Sequence, residues 1–167
     1  MTVRRSLARI LPLALACAGV AGCGDHGLTA SGHARFESGD LRTGFELPAD
    51  VRIDGEGAAG GVTGSCQIDR VGDSVDSVVV DLVGGAGSDE GLRSLTLRAR
   101  SDGAAQSVQA RLASGTFTAG ASCVLELSSV DAGGSVTLDT TDCEMVSGSE
   151  TGTLDVHLEL HGCSFVD

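Results

Sequence analysis

The sequence predicts an all-β fold, an antiparallel sandwich or barrel-like domain. Three observations predict it. Short segments alternating apolar and polar residues recur between turn signals, Gly, Ser, Thr and Val are abundant, and no stretch sustains the 3.6-residue apolar repeat of an amphipathic helix.

In chain order, the weaker candidate strands come first: Ser31 to Glu37, Phe45 to Leu47 and Val51 to Ile53. Val78-Val79-Val80-Asp81-Leu82-Val83 is apolar on both parities except at Asp81, the pattern of a central strand buried on two faces. Leu95 to Arg100 follows, with Leu95, Leu97 and Ala99 inward, then Val108 to Leu112, Cys123 to Leu127 and Val136 to Leu138. The clearest strand runs from Leu154 to His161, apolar at every even position and polar at every odd one. Turn chemistry separates them at Asp54-Gly55-Glu56-Gly57, Gly84 to Gly91, Ser101-Asp102-Gly103, Asp131 to Gly134 and Ser147-Gly148-Ser149. Together they define one domain, residues 29–167, with a thin core of Val, Leu, Ala and four Phe.

Residues 1–22 read differently. Arg4, Arg5 and Arg9 precede an apolar run, residues 10–22, that ends in small side chains, the build of a cleaved secretory signal peptide. Pro12 and the short length argue against a permanent span, which needs about 20 residues. The four residues Val20-Ala21-Gly22-Cys23 resemble the lipobox of bacterial lipoproteins, an aliphatic and two small residues before a cysteine. The resemblance covers only these first 23 residues. It implies that Cys23 receives a diacylglycerol, that cleavage falls just before it, and that further acylation of the new amino terminus anchors the chain. Two or three chains hold a protein stably where one does so marginally, at ~0.8 kcal/mol per buried methylene. Residues 23–28 then form a short tether, so the domain rides close to the membrane. Gly24 follows the cysteine and Asp25 comes one later, which leaves inner against outer membrane open. Arg4-Arg5 fits a generic basic leader better than a twin-arginine export signal.

Composition excludes some functions. All 23 acids but only 8 of the 11 arginines lie beyond Cys23, so the net charge moves from −12 to about −15 for the mature chain. Such a surface argues against nucleic acid as a partner, because phosphate recognition needs clustered cations. Trp and Tyr are absent, which removes the usual rigid amphipathic anchors of interfaces and sugar-stacking platforms.

Of six cysteines, Cys17 leaves with the leader and Cys23 carries lipid, leaving Cys66, Cys123, Cys143 and Cys163. In an oxidising compartment an even set forms two disulfides, with three connectivities open. Register favours one. If Leu127 faces Leu138 across the turn at Asp131 to Gly134, Cys123 falls opposite Asp142, and Cys143 has the wrong parity for the inward face. A one-residue bulge at Thr140-Thr141-Asp142 repairs both, pairing Cys123 with Cys143 and leaving Cys66 for Cys163. No C-x-x-C or comparable spacing favours a catalytic thiol or zinc.

The remaining chemistry is sparse. Asp155, His157, Glu159 and His161 form an outward row at ~6.6 to 7 Å spacing, so His157 with Glu159, or Glu159 with His161, can supply half a metal site. Neither His26 nor His33 is visibly placed to complete it, and a solvated strand face explains the row as well. Arg98, Arg100 and Arg111 form a second outward row, either a contact for anionic headgroups or glycans or a solvated face that neutralises nearby acids. The acidic turns at Asp54 to Gly57 and Ser88 to Gly91 lack the ligand order of a calcium loop. No G-x-S-x-G, H-E-x-x-H or phosphate-binding loop occurs, and no cofactor is implied. The expected function is a non-enzymatic, lipid-anchored module of the cell envelope, structural, adhesive or binding a protein or glycan partner. The alternative is a small envelope enzyme or metal-handling protein using His157, Glu159 and His161.

Overall fold

The computed structural model describes residues 27–55, 61–84, 91–102 and 106–166. The leader, Cys23, His26 and parts of three expected turns (residues 56–57, 85–90 and 103) lie outside the described residues.

Among the described residues, eleven strands form one curled, open sheet: β1 (Thr29–Ser38), β2 (Leu41–Arg52), β3 (Val62–Val71), β4 (Ser74–Gly84), β5 (Leu92–Arg100), β6 (Ser107–Leu112), β7 (Thr116–Ala119), β8 (Glu126–Val130), β9 (Val136–Ser147), β10 (Glu150–His161) and β11 (Ser164–Val166). Their order is β11-β3-β4-β5-β6-β7-β9-β10-β1-β2, with β8 paired to β9 beside that path. All pairings are antiparallel except β11 with β3. Curling brings the two ends near each other. The Gly64 N–H on β3 donates to the Ile53 carbonyl just past β2 (2.7 Å), and the Leu92 N–H on β5 donates to the Thr43 hydroxyl on β2 (2.8 Å).

One face of every long strand fills a single interior. Leu95, Leu97 and Ala99 are fully buried, as the alternation predicts, and so are Leu154, Leu158 and Leu160 of β10. Phe36 and Phe117 meet edge-on inside, with ring centroids 4.9 Å apart. Leu28 is buried and its carbonyl accepts from the Ile53 N–H, so the core takes up the last residue of the expected tether.

β4 departs from expectation. Val78, Val80 and Leu82 are fully buried, but Val83 is 49% exposed and Val79 only half-buried. A single curled layer has an interior on one side only, so a strand central in the sheet still turns its other face outward. Phe45 to Leu47 and the start of the Val51 to Ile53 segment merge into β2, which ends at Arg52, because a bulge absorbs Pro48 and Asp50. Between Ala30 and Gly32 on β1 the register shifts from Val51 to Leu47, and Asp50 takes a φ of 54°.

Both disulfides join the cysteines that register favours, Cys66 with Cys163 and Cys123 with Cys143. Leu127 faces Leu138, and β9 carries its extra residue at Thr141-Asp142, where Asp142 has a φ of 51°. That bulge turns Val136, Leu138, Thr140, Cys143 and Met145 all inward, across a change of parity that strict alternation forbids. The strand expected over Cys123 to Leu127 begins later, at Glu126. Upstream of it the Gln106 amide stands in for a strand partner: its Oε1 accepts from the Leu125 N–H (2.8 Å) and its Nε2 donates to the Leu125 carbonyl (2.6 Å).

Candidate functional site

The outer face of β8, β9, β10, β1 and β2 carries a line of ionisable side chains. Antiparallel register sets Glu126 opposite Asp139, Asp139 opposite His157, His157 opposite His33, and His33 opposite Glu46. Asp139, His157 and Glu46 lie on an outward parity between buried neighbours, and Glu126 and His33 each follow or precede a buried residue on the same outward side of the sheet. Glu159 stands two residues along β10, on the same face.

His157 is the centre of this line. Its Nδ1 lies 2.6 Å from Asp139 Oδ1, and its Nε2 lies 3.8 Å from Glu159 Oε1. An ionised carboxylate only accepts, so Nδ1 carries the proton and Nε2 is the nitrogen presented outward. The His33 ring is tilted beside it, centroids 6.2 Å apart. Asp139 also accepts from the Ser128 hydroxyl (2.9 Å). Burial pushes its carboxyl up, but the bonds from His157 and Ser128 and the His157 charge outweigh burial and hold it below the ordinary carboxylate range. Glu46 is held low by the hydrogen bond and charge of Arg35, 2.7 Å away, with a smaller pull from His33.

His161 does not join them. It lies at the far end of β10, opposite Thr29, with Nδ1 3.0 Å from the Ser135 hydroxyl. Asp131 accepts from the backbone N–H groups of Gly133 (2.8 Å) and Ser135 (2.9 Å), and these with the Ser135 hydroxyl keep its carboxyl low. Thr29, Arg52, Gly133, Ser135 and His161 line an open hollow of about 460 Å³ at the end of the sheet beside Gly27, where the described residues begin. Arg52 is paired there with Asp54 (2.7 Å).

Glu159 lies beside His157 and His161 beside Ser135, and among the described residues no group of three or more His, Cys, Asp or Glu side chains could hold a metal ion. His33, Asp139 and Glu46 were the missing members of the His157 neighbourhood. The signal for them is the outward parity of His33, but using it requires knowing that the first strand pairs with β10, a contact between distant parts of the chain. The arginine row is split: Arg100 is tied to Asp76 and Asp102 (both 3.1 Å), while Arg98 and Arg111 are exposed and four residues apart in register, facing Ser107 and Ser94. The disulfide-bonded cysteines are internal bridges with no free thiol among them.

No protein family, curated protein or solved structure matches this chain.

Proposed function

We propose that this protein is a lipid-anchored lipoprotein of the cell envelope whose β domain is a non-enzymatic binding module. The observation that carries the reading is the Val20-Ala21-Gly22-Cys23 stretch, which resembles a lipobox and follows a basic and then apolar leader. Two features of the domain support it. Its four cysteines are all consumed in two disulfides, as suits export to an oxidising compartment. The core begins at Leu28, five residues after Cys23, so a lipid on Cys23 would keep the domain close to the membrane surface. A net charge near −15 after Cys23 favours a partner that presents cations over an anionic one.

Crosslinking in cells tests the reading. The native protein is expected to capture a defined set of envelope proteins or glycans, and Cys23→Ser to lose that set along with membrane attachment. An identical set captured by Cys23→Ser from a soluble fraction would overturn it.

A further inference from the structure

We infer that the open edge of β8 is a docking slot for an extended peptide segment of a partner protein, apolar at alternate residues and basic between them. The inference rests on the binding-module part of the reading above and not on the lipid.

The slot continues the line of β6. β6 starts at Ser107, opposite Arg98, while β5 runs on to Arg100. Among the described residues β8 pairs with β9 alone, so its other edge faces the end of β5. An open groove of about 550 Å³ lies there, walled by Val75, Arg100 and Ser101 on one side and by residues 124–130 on the other. An unbroken run of lining residues means that the groove meets this stretch along its edge, because a strand face presents every second residue. An edge left unpaired is a template for another chain.

Gln106, the residue before β6, shows how that edge is satisfied. Its Oε1 accepts from the Leu125 N–H and its Nε2 donates to the Leu125 carbonyl, the two-way exchange that a facing residue makes in an antiparallel pair. Backbone groups alternate between the two edges of a strand, so the N–H and C=O of Leu127 point the same way as those of Leu125. The register shift of β8 comes after Leu127 and leaves this alternation intact. Leu127 is thus the next rung for an incoming chain.

The floor of the slot is apolar. Val75, Leu127 and Val130 are half-buried against the core, and Val124 is 60% exposed. An extended segment laid over them covers the core with its inward side chains while its main chain pairs with β8. The stretch from Leu127 to Val130 spans about 10 Å at ~3.3 Å per residue, room for three or four residues. Charge selects cations for the outward side: Glu126 is exposed beside the slot, and Arg100 on the facing wall is already bound by Asp76 and Asp102. The same charges oppose a second copy of this chain, because joining two β8 edges brings two acidic rims and two net-negative domains together.

Titration of the purified protein with an acetylated, amidated heptapeptide alternating Arg and Val, followed by backbone amide resonances, tests the slot. Saturable one-to-one binding is expected, with shifts centred on Gln106, Leu127 and Val130 and slowed hydrogen exchange at Leu127. The counterpart alternating Glu and Val should bind about tenfold more weakly or worse. The Arg and Val peptide with every amide N-methylated should also lose about tenfold or more, for want of donors to the edge. Glu126→Lys, at an exposed position, should weaken the Arg and Val peptide roughly three- to fivefold, the worth of one exposed ion pair. Absence of saturable binding, equal binding of the N-methylated peptide, or shifts confined to the outer face around His157 would overturn the inference. So would self-association in sedimentation that itself protects Leu127, which would give the edge to a second copy. The envelope reading stands or falls on crosslinking and on the lipid, so failure of the slot leaves it intact.

Discussion

Removing the two disulfides one at a time should cost unequal amounts of stability, in an order set by connectivity. Cys66 and Cys163 are separated by 97 residues, Cys123 and Cys143 by 20. In the chain-entropy description a crosslink stabilises by restricting the unfolded chain, with a cost that grows as the logarithm of the closed loop. The loops then correspond to about 4.7 and about 3.3 kcal/mol. Packing losses are comparable, because Cys66, Cys143 and Cys163 are all buried and Cys123 packs against the same core. The two double variants, Cys66→Ala with Cys163→Ala and Cys123→Ala with Cys143→Ala, are compared by equilibrium denaturant unfolding. The first is expected to be less stable than the second by about 1.4 kcal/mol, the difference between the two loop terms. It also frees β11, whose three residues pair with β3 at the sheet edge. An equal cost, or a larger one for the 20-residue loop, would refute the reasoning that connectivity dominates.

Four further outcomes are expected. Gly32→Ala should destabilise by about 2 kcal/mol or more in the same unfolding assay, because Gly32 has a φ of 114° and a Cβ there would strike the His157 carbonyl oxygen. Deleting Asp142 removes the extra residue of β9 and turns Cys143 outward, so alkylation under non-reducing conditions should find Cys123 and Cys143 free while Cys66 and Cys163 stay protected. Phe36→Ala empties a fully buried position against Phe117 and should cost about 3 to 5 kcal/mol, read as a lowered denaturant midpoint. Glu46, Asp54, Asp131 and Asp139 are all held below their ordinary values. The unfolded chain therefore binds these protons first: their stabilisation is full above the ordinary range near pH 4 and is lost as pH falls through the lower folded values. Thermal midpoints should drop on acidification, less steeply in Asp131→Asn, and an unchanged slope in that variant would count against the Asp131 turn.

Local pattern made most of the fold legible. Strict alternation in Leu154 to His161 and in Leu95 to Ala99 gave both the strands and their inward faces, since a period of two admits one burial solution. The conflict between Cys143 and the parity of Leu138 located a bulge, because both residues needed the interior. What stayed hidden depended on distant partners. β3 contains Cys66 and alternates only loosely, β7 offers only Phe117 and the small Ala119 to the core over four residues, and β11 is held by β3 and a disulfide with no apolar repeat of its own. β8 starts late because Gln106, from another loop, claims Leu125. Val79 and Val83 read as buried because sequence shows that a strand is apolar on both faces, but not whether a second layer exists to cover it. The site follows the same rule. His157 and Glu159 share a strand and are visible together, whereas His33 and Asp139 reach them only through the pairing of β10 with β1 and β9.

The lipid on Cys23 is the claim on which the envelope reading turns, and mass spectrometry of the amino-terminal peptide of the native protein tests it most directly. The account predicts a peptide that begins at Cys23 and carries a diacylglyceryl thioether, with membrane partition lost in Cys23→Ser. A peptide that begins elsewhere, or an unmodified Cys23 thiol in a protein that still partitions with membranes, would contradict it.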